Sequence, residues 1–307
     1  MKRPRLVLSD SAVADILEQA DWYRAQSGVV LEERWEKAVT TTLLRIVNNA
    51  SAGAPCSFYR EELRHAVTHL GSISLSPRVS PDGSRIAFSS MTKAGWEILM
   101  YSLDLNRLVS FPRFGGTNLS PAWSPDGTRI AFSSSRSGDP EIYSVDSSGA
   151  GLKRITSFKG PDVSPAWNRK TGAQIAWVSG RTGLPQVYTM ESDGTNVQRL
   201  TDQGYAVSPS WSPNGQFLVV SWMRKYGPGA PGAQDIYIMD IASKQWVQLT
   251  HDGGRNDFPY WSPDGRHIIF QSSRAGSLQI WTMLADGTNQ KQLTFAGANS
   301  QPNWSWK

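Results

Sequence analysis

The chain has one cysteine, Cys56, in 307 residues. No intramolecular disulfide can form, which excludes a cysteine-stapled scaffold and a Cys-based zinc site. Histidine is also scarce, with four copies. His65 and His69 are spaced i, i+4, but no Glu follows His65 to complete the His-Glu-x-x-His zinc motif, so the spacing reads as chance. His251 stands alone, and His267 sits at an expected strand start. No run approaches the ~18 apolar residues that a membrane-spanning helix needs. Basic charge does not cluster. Lys and Arg number 31 against 26 Asp and Glu, giving +5 and a pI of about 9.3. Residues 1–70 hold nine of each sign, and the excess is scattered singly over residues 71–307. A mixed solvated surface has this pattern, and no nucleic-acid partner is expected. There is no Gly-x-Ser-x-Gly elbow, phosphate loop or dinucleotide fingerprint. Neither an enzyme nor a cofactor is expected. The start, Met1-Lys2-Arg3-Pro4-Arg5, is basic, but Asp10, Asp15 and Glu18 interrupt what would be a signal peptide's apolar stretch. Taken from Met1, the chain would remain cytoplasmic.

What the sequence has in quantity is tryptophan, glycine and proline, with 13, 27 and 18 copies. They recur in one phrase. It reads Ser76-Pro77-Arg78-Val79-Ser80-Pro81-Asp82-Gly83, followed by Arg85-Ile86-Ala87-Phe88. It returns at Ser120-Pro121-Ala122-Trp123-Ser124-Pro125-Asp126-Gly127. A degraded copy is Ser164-Pro165-Ala166-Trp167-Asn168. The next is Ser208-Pro209-Ser210-Trp211-Ser212-Pro213-Asn214-Gly215, and the fifth is Pro259-Tyr260-Trp261-Ser262-Pro263-Asp264-Gly265. A half-copy, Pro302-Asn303-Trp304-Ser305, follows near the C-terminus. The Val or Trp position falls at 79, 123, 167, 211, 261 and 304, a period of about 44 residues. One longer interval carries an inserted loop, Tyr226-Gly227-Pro228-Gly229-Ala230-Pro231-Gly232. A fixed period of this length with four strand signals marks a β-propeller, one blade per repeat.

Within each repeat the Pro-x-Trp segment is the first strand. Asp-Gly or Asn-Gly then turns the chain, with glycine taking the left-handed position. Ile-Ala-Phe and its equivalents form a continuously apolar second strand, suited to burial between blades. Third strands such as Glu141-Ile142-Tyr143-Ser144-Val145 predict alternation between a polar and an apolar face. Fourth strands end in Leu-Thr or Ile-Thr, as in Lys153-Arg154-Ile155-Thr156. The pairs Asp82-Gly83, Asp126-Gly127, Asn214-Gly215 and Asp264-Gly265 are read as turn formers, not catalytic or calcium-binding carboxylates. Asn214 replaces Asp in one copy, which a turn tolerates and acid–base chemistry would not. Trp123, Trp167, Trp211, Trp261 and Trp304 recur at one place per blade and are read as inter-blade packing. Arg224, Lys225 and Tyr226, beside the inserted loop, are the candidate partner-loop residues.

The phrase Ala-Trp-Ser-Pro-Asp-Gly, with Ile-Ala-Phe, Glu-Ile-Tyr-x-x-Asp and Arg-Ile/Leu-Thr, resembles the TolB family of WD40-like (PD40) propellers over roughly residues 71–307. The resemblance implies a non-enzymatic, monomeric protein-binding scaffold of the Tol–Pal envelope-integrity and protein-import system. It also implies a periplasmic location and a Pal-type lipoprotein as partner. Such rings have six blades. Here five full blades and one orphan closing strand, Pro302-Asn303-Trp304-Ser305, are expected, so one blade lacks part of its strands.

Residues 1–70 break the repeat. Arg5-Leu6-Val7-Leu8 predicts a strand, and two helices follow. Val13, Ile16, Leu17 and Ala20 share a face of the first, and Leu31, Trp35, Ala38 and Leu43 recur at helical spacing in the second. Leu6-Val7-Leu8-Ser9, Ala20-Asp21-Trp22-Tyr23 and Glu62-Leu63-Arg64 resemble RelE/ParE toxins over about residues 4–67. The toxin sheet is mostly missing, so the segment reads as a truncated toxin-like module fused to the propeller. Two alternatives to the scaffold function follow: toxin action on ribosome-bound mRNA or gyrase by residues 1–70, or a propeller sensing a peptide or small ligand in its central channel.

Overall fold

The computed structural model describes residues 74–227, 232–251 and 253–304. All of them belong to one compact unit, Tyr59–Lys307. The expected strand and helices of residues 1–70, and the toxin-like reading attached to them, lie outside the described residues. Among the described residues no helix is long and apolar enough to cross a membrane.

Among the described residues, twenty strands form five antiparallel four-stranded sheets, each a meander in sequence order. The first blade is β1 (Ser74–Val79), β2 (Arg85–Thr92), β3 (Gly95–Ser102) and β4 (Arg107–Val109). The second is β5 (Asn118–Trp123), β6 (Arg129–Ser134), β7 (Glu141–Asp146) and β8 (Lys153–Arg154). The third is β9 (Asp162–Trp167), β10 (Gln174–Ser179), β11 (Gln186–Glu191) and β12 (Gln198–Arg199). The fourth is β13 (Tyr205–Trp211), β14 (Phe217–Met223), β15 (Asp235–Asp240) and β16 (Trp246–Gln248). The fifth is β17 (Asn256–Trp261), β18 (His267–Ser272), β19 (Gln279–Leu284) and β20 (Lys291–Gln292).

The first strand of each blade is longer than the Pro-x-Trp segment and carries a bulge. In β5 the register against β6 shifts between Leu119 and Ala122, and the same shift recurs in the other four blades. The cause is a left-handed residue just before the proline: Ser76, Ser120, Ser164, Ser208 and Phe258 have φ of 53, 55, 54, 55 and 51°. The bulge bends the inner strand and re-aims the residues after it.

The turn that follows is built by its own side chains. Asp82 Oδ1 accepts from Ser84 N at 3.0 Å and from Ser80 Oγ. Ser80 Oγ in turn accepts from Arg85 N at 2.9 Å, and Gly83 N closes the turn on Ser80 O at 2.8 Å. Gly83, Gly127, Gly215 and Gly265 all have φ near 70° (71, 69, 71 and 72°), the left-handed region that glycine enters without strain. The turns also touch around the ring. A Cβ on Gly127 would stand 3.6 Å from Pro81 Cδ of the preceding blade, and one on Gly265 would stand 3.6 Å from Pro213 Cδ.

Burial is continuous from blade to blade. Ala131, Phe132, Ala176, Trp177, Leu218, Val219 and Val220 on the second strands are fully buried. Burying each large apolar side chain of this kind stabilises by about 1.5–3 kcal/mol. The predicted alternation of the third strands is corrected: β7 and β11 are buried at five of six positions. A strand sandwiched between two neighbouring sheets has no solvent face, so Ser144 and Thr189 are buried with their apolar neighbours. The fourth strands do show an exposed edge, as in β8 and β12. Their terminal threonine ties them in. Thr156, Thr201, Thr250 and Thr294 each accept from the backbone N–H near the start of the third strand, at 2.8–2.9 Å.

The orphan closing strand is not confirmed among the described residues. Residues 301–304 form no ladder, because no described strand lies beside them to pair with. They nevertheless repeat the inner-strand conformation. Gln301 has φ 53°, and its N–H donates to Gln271 Oε1 of β18 at 3.0 Å, as Ser120 N donates to Ser89 Oγ of β2 at 3.1 Å. Gln301 Oε1 also accepts from Ser76 N at 2.8 Å, linking the two ends of the described propeller.

Candidate functional site

Two places bring together side chains that the fold alone does not require. The first is the central channel. Its wall is made by the post-bulge residues of all five inner strands together with Gln301 and Pro302. The position between proline and tryptophan faces this channel. It is small in Ala122, Ala166 and Ser210, and large in Arg78 and Tyr260. Arg169 joins them from the third blade's turn, where it replaces the proline of the other turns. The guanidinium carbons of Arg78 and Arg169 lie 5.2 and 5.1 Å from the centroid of the one Tyr260 ring. Both distances are within cation–π range. Enclosure by protein, and then the like charge of Arg78, pull Arg169 down to about 9, so it stays charged at neutral pH. The cavity between these groups is about 60 Å³, room for a few waters at roughly 10–15 Å³ each. That is little space for the peptide or glycan of a ligand-sensing propeller, whose sites typically run to ~300 Å³ or more.

The second place is the outer surface beside the inserted loop. Arg224 is exposed, and its guanidinium stacks over Trp222 at 4.8 Å. Tyr226, 55% exposed, stacks on Tyr205 at 5.8 Å with rings 28° apart. Lys225, between them, is exposed. A neighbouring depression of about 420 Å³ is lined by Arg199, Arg224, Lys244, Trp222 and Trp246 among others. Trp246 is held there by its Nε1–H, which donates to Leu200 O at 3.2 Å. Cationic and aromatic groups held in place on an exposed rim are what protein interfaces enrich.

The remaining sequence candidates fall as follows. Asp126 and Asn214 accept turn hydrogen bonds through Oδ1, from Thr128 N at 3.0 Å and Gln216 N at 3.1 Å. Asp264 does the same with Arg266 N at 3.0 Å. Hydrogen bonds from Ser80 and Ser84 hold the Asp82 carboxyl at about 2, and Ser124 lowers Asp126. Trp123, Trp167, Trp211 and Trp261 are buried, and Trp304 is half-buried. Trp123 Nε1 donates to Arg78 O of the preceding blade at 3.0 Å, and Trp211 Nε1 to Ala166 O at 3.1 Å. Sequence reasoning missed the channel trio. Its signal was present as departure from the repeat, at Arg78, Arg169 and Tyr260.

Comparison with known proteins bears on the whole repeat region. The family described as "TolB beta propeller domain" matches residues 62–227 and 202–307. The chain belongs to this family. TolB from Acinetobacter baumannii has a solved structure that is 27% identical, with a TM-score of 0.65, covering 75% of this chain and 56% of that one. A putative TolB from Agrobacterium tumefaciens shares the fold at 24% identity and a TM-score of 0.66, covering 76% of this chain and 86% of its own. Among curated relatives, an uncharacterized protein of Agrobacterium fabrum is 44% identical over 84 residues, 27% of each chain. The Tol-Pal system protein TolB of Alcanivorax borkumensis is 36% identical over 70 residues, 23% of this chain and 15% of that protein. The matched part thus spans about a quarter or less of these curated relatives. TolB-type propellers are generally non-enzymatic, and among the described residues no group of His, Cys, Asp and Glu could hold a metal ion.

Proposed function

We propose that this propeller is a non-enzymatic protein-binding scaffold of the TolB type, acting in the periplasm as a monomer with a Pal-type lipoprotein as its partner. The family match across residues 62–307 carries this reading. The rim at Arg224, Lys225 and Tyr226 is the contact surface, because it offers stacked aromatic and cationic groups on a rigid blade instead of a catalytic set. Two domains, residues 1–70 and 71–307, make up the chain, and the second completes a six-bladed ring when strands are supplied beside Gln301–Trp304. Support for the sixth position comes from Gln301, which repeats the φ and the hydrogen bond of the other inner strands.

The test is capture of a purified Pal-type lipoprotein by the immobilised full chain. The expected result is retention that falls at least tenfold in the Arg224→Ala/Tyr226→Ala double variant. No retention above a bare-resin control removes the partner. Equal retention by the variant moves the contact away from this rim.

A further inference from the structure

Three cations line the depression between the third and fourth blades, and each stands where the repeat has changed. The first is Arg224. In the third blade the arginine at this place, Arg181, donates to Asp162 Oδ2 at 3.1 Å and to Ser179 Oγ at 2.8 Å. In the fifth, Arg274 donates to Asn256 Oδ1 and to Ser272 Oγ, both at 3.0 Å. The fourth blade carries Ala206 and Trp222 at those two positions, paired across β13 and β14 as Asp162 and Ser179 are across β9 and β10. Both anchors of the arginine are thereby replaced, and the Arg224 guanidinium lies over the Trp222 ring. Gln203 Oε1, with its amide turned to accept, holds it there through Nε at 3.3 Å and Nη2 at 3.1 Å. The second cation is Arg199. Its counterpart in the second blade, Arg154, reaches the buried Glu141 at 2.7 Å. The third blade begins β11 with neutral Gln186 at that place, and Arg199 Nη2 donates instead to Asp202 O at 2.9 Å. The third is Lys244, whose φ of 59° is left-handed. The matching turn of the first blade has Asn106 there, at 50°, and Asn tolerates that region better than Lys.

We propose that this cleft docks an acidic segment of a polypeptide partner, its carboxylates meeting Arg199, Arg224 and Lys244 and its apolar side chains lying against Trp246. Charge complementarity selects the occupant: against three cations the described lining holds one acid, Asp202. Guanidinium groups fixed by hydrogen bonds are suited to carboxylates, which accept two parallel N–H bonds. The floor is rigid. Trp222 is 2% exposed, its Nε1 donates to Gln203 O at 2.8 Å, and its ring meets Trp246 edge-on at 5.3 Å. The volume of about 420 Å³ falls within the ~300–1,000 Å³ of ligand sites. The proposal rests on reading the Arg224 rim as a protein contact, and adds what the partner must present to it.

The experiment follows the anisotropy of a fluorescein-labelled hexapeptide of alternating Glu and Leu as the full chain is added. Saturable binding is expected, at least tenfold weaker for the Gln-Leu counterpart and weakened by added salt. Arg199→Gln/Lys244→Asn should bind at least tenfold more weakly than the parent. Lys244→Asn alone should lose several-fold while melting no lower than the parent, because it restores the first blade's residue, and this keeps the test independent of misfolding. Equal binding of the Glu and Gln peptides, or unchanged affinity in the double variant, overturns the proposal. Lys159→Gln removes an exposed charge outside the cleft lining and should stay within twofold of the parent. A loss there as large as in Lys244→Asn would mean attraction to net charge alone and would overturn the site. A thymidine oligonucleotide of equal charge is titrated in parallel, and tighter binding than the Glu peptide overturns the polypeptide assignment. Failed lipoprotein capture with peptide binding intact removes the named partner and leaves the cleft. Capture that persists while no peptide binds removes the cleft alone.

Discussion

The second and third blades differ from the fifth in one respect: among the described residues, they have a neighbouring sheet on both sides. In β7 and β11, Tyr143, Ser144, Tyr188 and Thr189 are all buried. At the equivalent places of β19, Trp281 and Thr282 are only half-buried. The second strands show the same contrast. Ala131, Ala176 and Val219 are fully buried, while Ile269 at the same position in the fifth blade is half-buried. The residue grows where no described sheet adjoins. Small side chains let adjacent sheets approach closely; where no described sheet follows, isoleucine stands in the same position. Burial in this molecule is thus set by the adjoining blade more than by the strand's own sequence.

Mutation can break this contrast. The largest effect is expected from Trp177→Ala, which empties the fully buried core of the third blade against Tyr188, whose ring lies 5.6 Å away. Such truncations cost about 3–5 kcal/mol, and Trp281→Ala in the fifth blade should cost less than half as much. Urea denaturation of the two variants measures the difference, and equal losses would erase the distinction between sandwiched and terminal blades. A smaller effect is expected from enlarging the close-packed position. Ala176→Ile should destabilise by about 1–3 kcal/mol through overpacking. The parent already carries isoleucine at the matching position 269, so Ile269→Ala should fall below the ~2–5 kcal/mol of a fully buried isoleucine.

The turns offer a finer comparison, between the three Asp copies and Asn214. The carboxyls of Asp82, at about 2, and of Asp126 lie below the ordinary 3.8 because hydrogen bonds favour their charged form. Their stabilising contribution is present above pH 3.8 and is lost as the pH falls through the lowered value. Both are largely exposed, so the effect is modest. Asp82→Asn/Asp126→Asn should therefore narrow its stability gap from the parent between pH 4 and pH 2, read from thermal melts across that window. A gap that holds constant would show that these carboxylates stabilise the turns by shape alone. The smallest change is expected for Asn214→Asp. Its Oδ1 already accepts from Ser212 Oγ at 2.6 Å and Gln216 N at 3.1 Å, so melts at pH 7 should barely move while the acid dependence grows slightly.

Much of the architecture was legible in the repeat. The Asp-Gly and Asn-Gly pairs mark turns because only a few residues tolerate the left-handed region, and the 44-residue period marks blades because one blade cannot bury both its faces. The third strands misled for a physical reason. Glu141-Ile142-Tyr143-Ser144-Val145 alternates in polarity as a half-exposed strand would, but Glu141 and Ser144 are buried with their hydrogen bonds satisfied. Glu141 pairs with Arg154 at 2.7 Å, and Ser144 Oγ accepts from the Arg129 guanidinium. The closing segment is a different case, because no described strand lies beside it. Pro302-Asn303-Trp304 has a strand's sequence, but a strand needs a partner.

The Arg224 rim could be guessed from the sequence because it flanks a visible insertion. The channel could not be, because its members are about 90 residues apart in successive cases and look like wear in the repeat.

By itself, then, the sequence determined the blade, the turn and the count of repeats, since these follow from local φ preferences and a period that recurs along the chain. Only the tertiary structure decided which faces are buried and where Arg78, Arg169 and Tyr260 meet. Both depend on contacts between different blades, and those distances exist only once the sheets have wrapped around a common axis.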